Sequence, residues 1–159
     1  KGTSTGSMSK TYSLPGLRVG WIAARSDLIN EINKHREYNT ISISIVDDYY
    51  AAIALENREK ISLRNFAIMK EGLKILNDWL NEEVYVKAHL PQGGTTALLR
   101  YKKEIPSCKL CRDLQEKTGV ALLPGETMEM EGTVRAGFCV KPDILKTGLK
   151  EFSKYLRTI

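Results

Sequence analysis

Residues 58–81 carry the most regular hydrophobic pattern of this 159-residue chain, and that pattern restricts its fold more than any other feature. Apolar side chains recur there every three to five positions, at Ile61, Phe66, Met69, Leu73, Leu76 and Leu80. This spacing places them on one face of a single long amphipathic helix. Beyond residue 83 the pattern changes to short strands separated by turns, which predicts a separate α+β lobe. The predicted fold class is therefore α/β, with an α+β part after the long helix.

Shorter patterns predict the remaining elements. Strands are predicted at residues 18–23, 38–46, 84–87, 95–101, 120–123 and 134–140, the first of them buried and the second exposed. Helices are predicted at residues 26–36, with Ser26 as the N-terminal cap, at 49–55, and at 107–118, closed by Gly119. A last helix begins near Pro142, and its apolar face carries Leu145, Leu149, Phe152 and Leu156.

Composition excludes several classes of protein. Hydrophobic residues make up 42% of the chain, and the net charge of +5 comes from Lys and Arg side chains spread among acidic ones. No basic block with interleaved aromatic residues occurs, so we predict no nucleic-acid partner. No apolar run is long enough to cross a bilayer, which predicts no membrane partner and a cytoplasmic location. The modest positive surplus suits an anionic cofactor and carboxylate substrates.

The three cysteines are an odd number, which argues against a disulfide framework and favours a reducing compartment. Cys108 and Cys111 form a Cys-x-x-Cys pair, but a four-cysteine zinc site needs a second pair and only Cys139 remains. Cys111 shares an apolar helix face with Leu110 and Leu114, so we predict that it packs in the core. No metal site is predicted.

Chemistry-bearing residues cluster near the start of the chain. Ser7 and Ser9 precede Lys10, a Pro15-Gly16 turn follows, and Arg18 comes after it. A lysine amine can form a Schiff base with a carbonyl group, while hydroxyl donors and a guanidinium suit a phosphate dianion. The turn can fold Arg18 back toward Lys10, so that one ligand could contact both. The alternative is that Lys10 is a solvated charge in a loop, as most single lysines are.

This segment resembles the lysine motif of the class I and II aminotransferases, enzymes of fold type I that use pyridoxal 5'-phosphate (PLP). Their pattern is Ser-x-Ser-Lys, seven residues, then Arg-x-Gly, and residues 7–20 match it. The resemblance implies that Lys10 is the catalytic Schiff-base lysine and that Ser7, Ser9 and Arg18 bind the cofactor phosphate. Arg18 and partial burial would then both disfavour the Lys10 ammonium. The resemblance also implies that residues 38–46 are a connection before a helix, and that the full-length form is a homodimer.

The resemblance implies a domain organisation as well. Residues 1–57 would be a remnant of the large PLP-binding domain, residues 58–82 an interdomain helix, and residues 83–159 a small C-terminal α+β domain. The family carries its lysine past the middle of a longer chain, so we expect this sequence to be a C-terminal portion. Because other cofactor contacts precede the lysine in the family, we expect the 159 residues alone neither to bind PLP tightly nor to transaminate.

Arg135 is the second position with chemical potential. Strand alternation places Val134, Ala136, Phe138 and Val140 on an apolar face, and Arg135 on the other. A strand arginine on an open face is usually solvated or in a surface ion pair. The resemblance implies instead that Arg135 binds the α-carboxylate of amino acid and 2-oxo acid substrates. Dicarboxylate-specific members have a further arginine near positions 41–46, and this chain has none.

Three alternatives remain open from the sequence. Lys10 and Arg18 do not select the bond that is broken, so a PLP-dependent decarboxylase or carbon–sulfur lyase fits the same residues. A transcription regulator with an aminotransferase-like effector domain also fits. A stable fragment with only a structural role is the third reading.

Overall fold

The computed structural model describes residues 2–159, and the chain divides into two compact units, one ending at Phe66 and the other comprising Ala67–Ile159. The first unit contains two strands, a short 3-10 turn and two helices, and it takes in the start of a third helix. They are β1 (Ser4–Ser7), the turn Pro15–Leu17, β2 (Gly20–Ala23), α1 (Ser26–Arg36), α2 (Ile45–Glu56) and α3 (Arg58–Glu82).

A small hydrophobic core holds the first unit together. Its buried members are Met8, Val19, Ala51 and Ala54, and Tyr12, Leu14, Leu17, Leu55 and Ile61 pack against them. The two alanines lie on α2, where a short side chain allows close approach of the lysine segment. Strands β1 and β2 pair antiparallel from Ser4 opposite Ala23 to Ser7 opposite Gly20.

The second unit is a four-stranded sheet with helices against one face. Its elements are β3 (Val86–Lys87), β4 (Thr96–Tyr101), α4 (Ser107–Thr118), β5 (Leu123–Pro124), a 3-10 turn Gly125–Met128, β6 (Thr133–Gly137) and α5 (Pro142–Thr158). The strand order is β3-β4-β6-β5, and each neighbouring pair is antiparallel. The core combines buried side chains of β4 and β6 with those of α3, α4 and α5, such as Leu99, Val134, Leu76, Leu114 and Phe152. This is the mixed helix-and-sheet fold that the sequence predicted.

Helix predictions are confirmed most closely. The long periodic segment forms α3 as one helix of 25 residues, and α4 has the predicted bounds. Gly119 closes α4 with a φ of +75°, and its amide donates to the Gln115 carbonyl, as expected of a left-handed cap. The predicted stripe of α5 is buried at all four positions.

Several predictions are wrong. Residues 38–46 form no strand: a turn follows α1, Ile41 has a φ of +57°, and Ser44 caps α2, which begins at Ile45. The Ser44 hydroxyl accepts the Asp47 amide, so the connection implied by the resemblance is confirmed. Ser26 is not a cap but the first residue of α1, and Arg25 occupies the cap position without a side-chain hydrogen bond.

Strand bounds also need correction. The predicted buried strand at 18–23 is shorter, Gly20–Ala23, and all four residues are exposed. The strand predicted at 120–123 is reduced to Leu123–Pro124, and that at 134–140 shifts to Thr133–Gly137. Val140 therefore lies beyond the strand and is exposed, while Val134, Ala136 and Phe138 are buried as predicted.

The cysteines are all free thiols, with Cys111 buried in the core as predicted. Burial raises the pKa of the Cys111 thiol to about 11. Across residues 2–159, no three His, Cys, Asp or Glu side chains gather where they could hold a metal ion. Within the same residues, no helix has both the length and the apolar character needed to cross a membrane.

Candidate active site

The lysine segment is a loop that closes on one buried side chain, Met8. The Met8 amide donates to the Val19 carbonyl at 3.0 Å and continues the β1–β2 pairing by one residue pair. The Met8 carbonyl accepts the Leu14 amide, also at 3.0 Å. The Met8 side chain itself is fully buried. The amide and the carbonyl of Met8 are thus hydrogen-bonded and its side chain is buried, which fixes the loop between residues 8 and 19.

This closure brings the predicted phosphate ligands to one end of the β1–β2 ladder. Ser7 and Ser9 flank Met8 in the chain, and Arg18 immediately precedes Val19, the hydrogen-bonded partner of Met8. Ser7 and Arg18 are exposed, and Ser9 is half-buried. The backbones of Ser7, Ser9 and Arg18, residues 9 to 11 apart in sequence, therefore adjoin one backbone hydrogen bond.

Arg18 is held in place by the turn before it. Its φ is +53°, in the left-handed region that non-glycine residues seldom adopt, and its Nη1 donates to the Pro15 carbonyl at 2.9 Å. This backbone conformation costs free energy, and such residues concentrate at functional sites. Pro15 and Gly16 begin a 3-10 turn that ends at Leu17, directly before Arg18.

Lys10 lies at the outer bend of the loop. Its carbonyl accepts the Ser13 amide at 3.1 Å, which makes a tight turn directly after the lysine. The Lys10 side chain is exposed, so the partial burial expected for it is wrong for this chain. Among residues 2–159, no carboxylate lies within ion-pair distance of the Lys10 amine, which leaves its donors available to a ligand.

Two glycines shape the loop, and the sequence analysis did not assign them this role. A Cβ at Gly6 would lie 2.7 Å from Trp21 Nε1 and closer still to two ring carbons. A Cβ at Gly20 would lie 2.8 Å from the Gly6 carbonyl oxygen. The Trp21 ring can therefore lie over β1 only because Gly6 has no side chain. The Gly20 position in the Arg-x-Gly pattern is the signal that could have indicated this packing.

Sequence reasoning also missed a long-range contact of the loop. Asn65 Nδ2, on α3, donates to the Thr11 carbonyl at 2.8 Å. Thr11 is the residue after Lys10. Because the two residues are 54 positions apart, no local pattern could have indicated their contact.

Arg135 lies in the second unit, on the central strand β6. Its neighbours across the sheet are Leu98 on β4 and Leu123 on β5, both half-buried. The Arg135 side chain is exposed on the face opposite the core, as the alternation predicted. In the described part of the chain, no acidic side chain forms an ion pair with Arg135, so its guanidinium can donate hydrogen bonds to the carboxylate of a ligand.

A polar cluster outside these positions stabilises the start of α4. The Glu131 carboxylate accepts the Ser107 amide at 2.6 Å and the Ser107 hydroxyl at 2.8 Å. These hydrogen bonds hold the pKa of Glu131 below its usual range. Burial, reinforced by Glu131, raises the pKa of Tyr101, whose hydroxyl donates to the Ile105 carbonyl at 2.7 Å. The cluster thus satisfies the backbone donor of Ser107 at the start of α4.

Comparison with known structures places this fold in one class. A PLP-dependent aminotransferase structure from Streptococcus suis superimposes with a TM-score of 0.96 at 37% identity, over 99% of this chain and 42% of that one. A structure of the PLP-dependent cyclase OrfR gives a TM-score of 0.91 at 27% identity, over 98% of this chain and 43% of the other. Both structures belong to enzymes described as PLP-dependent.

The family follows from the sequence comparison. The family model described as aminotransferase class I and II matches residues 3–152, so the chain belongs to that family. Capreomycidine synthase from Streptomyces vinaceus is 32% identical over 98% of this chain and 40% of its own length. An aspartate aminotransferase from Thermotoga maritima is 28% identical over 94% of this chain and 38% of its own. The chain thus spans about two fifths of the length of these relatives.

Proposed function

We propose that this chain is the C-terminal portion of a PLP-dependent aminotransferase, in which Lys10 carries the cofactor. The observation that supports this most is the loop closed by the backbone hydrogen bond between Met8 and Val19, because Ser7, Ser9 and Arg18 are the chain neighbours of that pair. Family membership supports the same assignment.

The residues present fit the phosphate and the aldehyde of PLP. Ser7 and Ser9 supply hydroxyl donors and Arg18 a planar guanidinium, the groups that suit a phosphate dianion. Arg18 Nη1 already donates to the Pro15 carbonyl, which fixes the direction of the fork and leaves its other N–H groups free to bind. Lys10, exposed at the bend of the same loop, supplies the amine for the aldehyde.

Each of these side chains has a defined part in the proposed mechanism. When bound, PLP supplies the electron sink for the substrate α-carbon. Arg135 binds the α-carboxylate through two parallel hydrogen bonds, which fix both position and orientation. Lys10 would hold the cofactor, and its amine would take and return the α-proton of the substrate. The substrates are an amino acid and a 2-oxo acid.

We propose the domain organisation that the resemblance implies. Residues 1–57 belong to a large PLP-binding domain, residues 58–82 form the interdomain helix, and residues 83–159 are the small domain. The full-length enzyme is a homodimer and resides in the cytoplasm. The three free thiols support a reducing compartment.

We also propose that the 159 residues alone do not transaminate. The greater part of each matched relative lies outside the matched region. The groups of this chain suited to PLP are those around the phosphate and the aldehyde. A strong and stoichiometric absorbance band from PLP bound to the purified chain would contradict this proposal.

The comparisons favour one second candidate, a different PLP reaction on an amino acid. Two matched proteins are named as a synthase and a cyclase rather than as aminotransferases. The same lysine and arginines would serve such a reaction, since they hold cofactor and substrate without selecting the bond that changes.

One experiment tests the function and separates the two candidates. The full-length enzyme is incubated with a panel of ¹⁵N-labelled amino acids and an unlabelled 2-oxo acid, and the products are identified by mass spectrometry. Aminotransferase activity moves ¹⁵N to the 2-oxo acid, whereas a cyclase or decarboxylase changes the amino acid alone. Lys10→Ala should abolish either reaction, and Lys146→Ala, an exposed lysine of α5, should not. Full turnover by Lys10→Ala would refute the role of Lys10.

A further inference from the structure

Asn65 is the only residue of α3 in the described part of the chain whose side chain donates a hydrogen bond to the backbone of the lysine loop. Its Nδ2 donates to the Thr11 carbonyl at 2.8 Å. Thr11 lies inside the short turn that the Lys10 carbonyl and the Ser13 amide close. A hydrogen bond to Thr11 therefore holds the backbone directly after the lysine.

Arg64 fixes the orientation of the Asn65 amide. Its Nε and Nη2 donate to Asn65 Oδ1 at 3.1 and 2.9 Å. A guanidinium is a donor only, so it requires the oxygen of the amide on its side and leaves the NH₂ group directed at Thr11. The half-buried Asn65 thus joins a helix to the loop through a single defined orientation.

We propose that Asn65, oriented by Arg64, is a positioning residue for Lys10. It acts through the Thr11 carbonyl: it restricts the backbone turn directly after Lys10 and so limits the positions that the Lys10 amine can take. This inference rests on the proposed function, in which Lys10 carries PLP. It adds a residue that touches neither cofactor nor substrate.

The test uses the full-length enzyme and two readouts. The first is hydrogen–deuterium exchange of the Ser13 and Leu14 amides, which the loop protects. The second is the labelling of Lys10 by limiting PLP followed by borohydride, mapped by mass spectrometry and expressed relative to exposed Lys146. Asn65→Asp keeps the shape of the side chain and its contact with Arg64 but removes the donor to Thr11.

We expect Asn65→Asp to raise exchange at these two amides about 2- to 12-fold, which is the range that corresponds to one lost hydrogen bond. Relative labelling of Lys10 should fall at least 2-fold, because Asn65 no longer holds the turn that positions the Lys10 amine. Arg64→Met should change exchange and labelling in the same directions but by less. Without Arg64 the Asn65 side-chain amide can rotate, so the hydrogen bond to Thr11 forms for only part of the time. Asn81→Asp, an exposed position at the other end of α3, is the matched control and should leave both readouts unchanged.

Two results would overturn the inference. Unchanged exchange in Asn65→Asp would mean that the hydrogen bond does not restrict the loop, whatever the labelling shows. Faster exchange with unchanged Lys10 labelling would make Asn65 structural only. Failure of the proposed function is separate, since it is read from turnover of the full-length enzyme with Lys10→Ala.

Discussion

Replacement of Gly72 by alanine should destabilise the second unit by about 2 kcal/mol, although alanine is the better helix former. An added Cβ at Gly72 on α3 would lie 3.0 Å from the Phe138 carbonyl carbon and closer still to its oxygen. Both are backbone atoms next to the central strand β6, so relief requires the strand or the helix to move. Overpacking of this kind costs typically 1–3 kcal/mol, and a backbone obstacle places the cost near the upper limit. The helix-propensity gain of about 1 kcal/mol offsets only part of it.

Gly148→Ala is the matched control because it makes the same substitution inside another helix of the same unit. A Cβ at Gly148 on α5 would meet no atom within 4 Å. Only the propensity term remains, so this variant should be more stable than the parent by about 0.5–1 kcal/mol. The same Gly→Ala substitution is thus expected to lower the free energy of unfolding at Gly72 and to raise it at Gly148.

Urea unfolding monitored by tryptophan fluorescence measures both variants. The chain has two tryptophans, and a Trp21→Phe background leaves Trp79, which donates to the Ser153 hydroxyl and stacks on Phe152 in the second unit. The midpoint should fall for Gly72→Ala and rise for Gly148→Ala at an unchanged m-value. If both midpoints rise, then α3 does not pack against the Phe138 backbone as closely as the structure indicates.

Other parts of the structure give three further predictions. The folded-state pKa of Glu131 lies below its usual value, so the stability that the Glu131 carboxylate contributes is present above about pH 4.3 and is lost as the pH falls through the folded-state pKa. Glu131→Gln should therefore make the urea midpoint depend less on pH below about pH 4.3. Arg135→Lys in the full-length enzyme should raise the KM for the amino acid roughly 10-fold or more, since a lost hydrogen bond to a charged group costs about 1.5–3 kcal/mol. Arg100→Lys, exposed on the adjacent strand, should leave KM unchanged, and equal effects of the two would contradict the carboxylate role. Iodoacetamide at pH 8 should modify exposed Cys108 before buried Cys111. The pKa of about 11 leaves roughly one Cys111 thiol in a thousand as the reactive thiolate at that pH. Mass spectrometry of the intact chain measures the order of modification.

Periodic patterns predicted helices well because a helix is determined mainly by residues close in sequence. The segment around Leu76 shows this: its apolar spacing marks one face over many turns, and the structure has one helix of 25 residues there. Gly119 gave the end of α4 correctly for a similar local reason, since a left-handed cap favours glycine.

Strands were predicted less well because pairing depends on distant residues. β1, with the sequence Ser-Thr-Gly-Ser, has no apolar alternation and exists because β2 pairs with it. Residues 38–46 alternate as a strand would, but the structure gives them no partner strand, and the cap at Ser44 starts a helix instead. Alternation alone therefore predicts a strand where pairing does not follow.

The candidate site divides in the same way. Lys10 and Arg18 stay predictions, made from residue types and spacing because the family pattern lies within a short stretch. Neither the anchoring role of Met8 nor the contact of Asn65 with Thr11 could be predicted. Both depend on how the loop packs against α2 and α3, which are more than thirty residues away in the sequence.

Because Met8 is completely buried, oxidation of its sulfur indicates that the loop has opened. A thioether that solvent cannot reach is protected from peroxide, and its oxidation requires the loop to open first. The sulfoxide is polar and cannot return to an apolar pocket without cost, so each oxidised molecule would be held with its loop displaced. Oxidation of this one atom would thus displace the loop that carries Lys10 without changing Lys10, Ser7, Ser9 or Arg18 chemically.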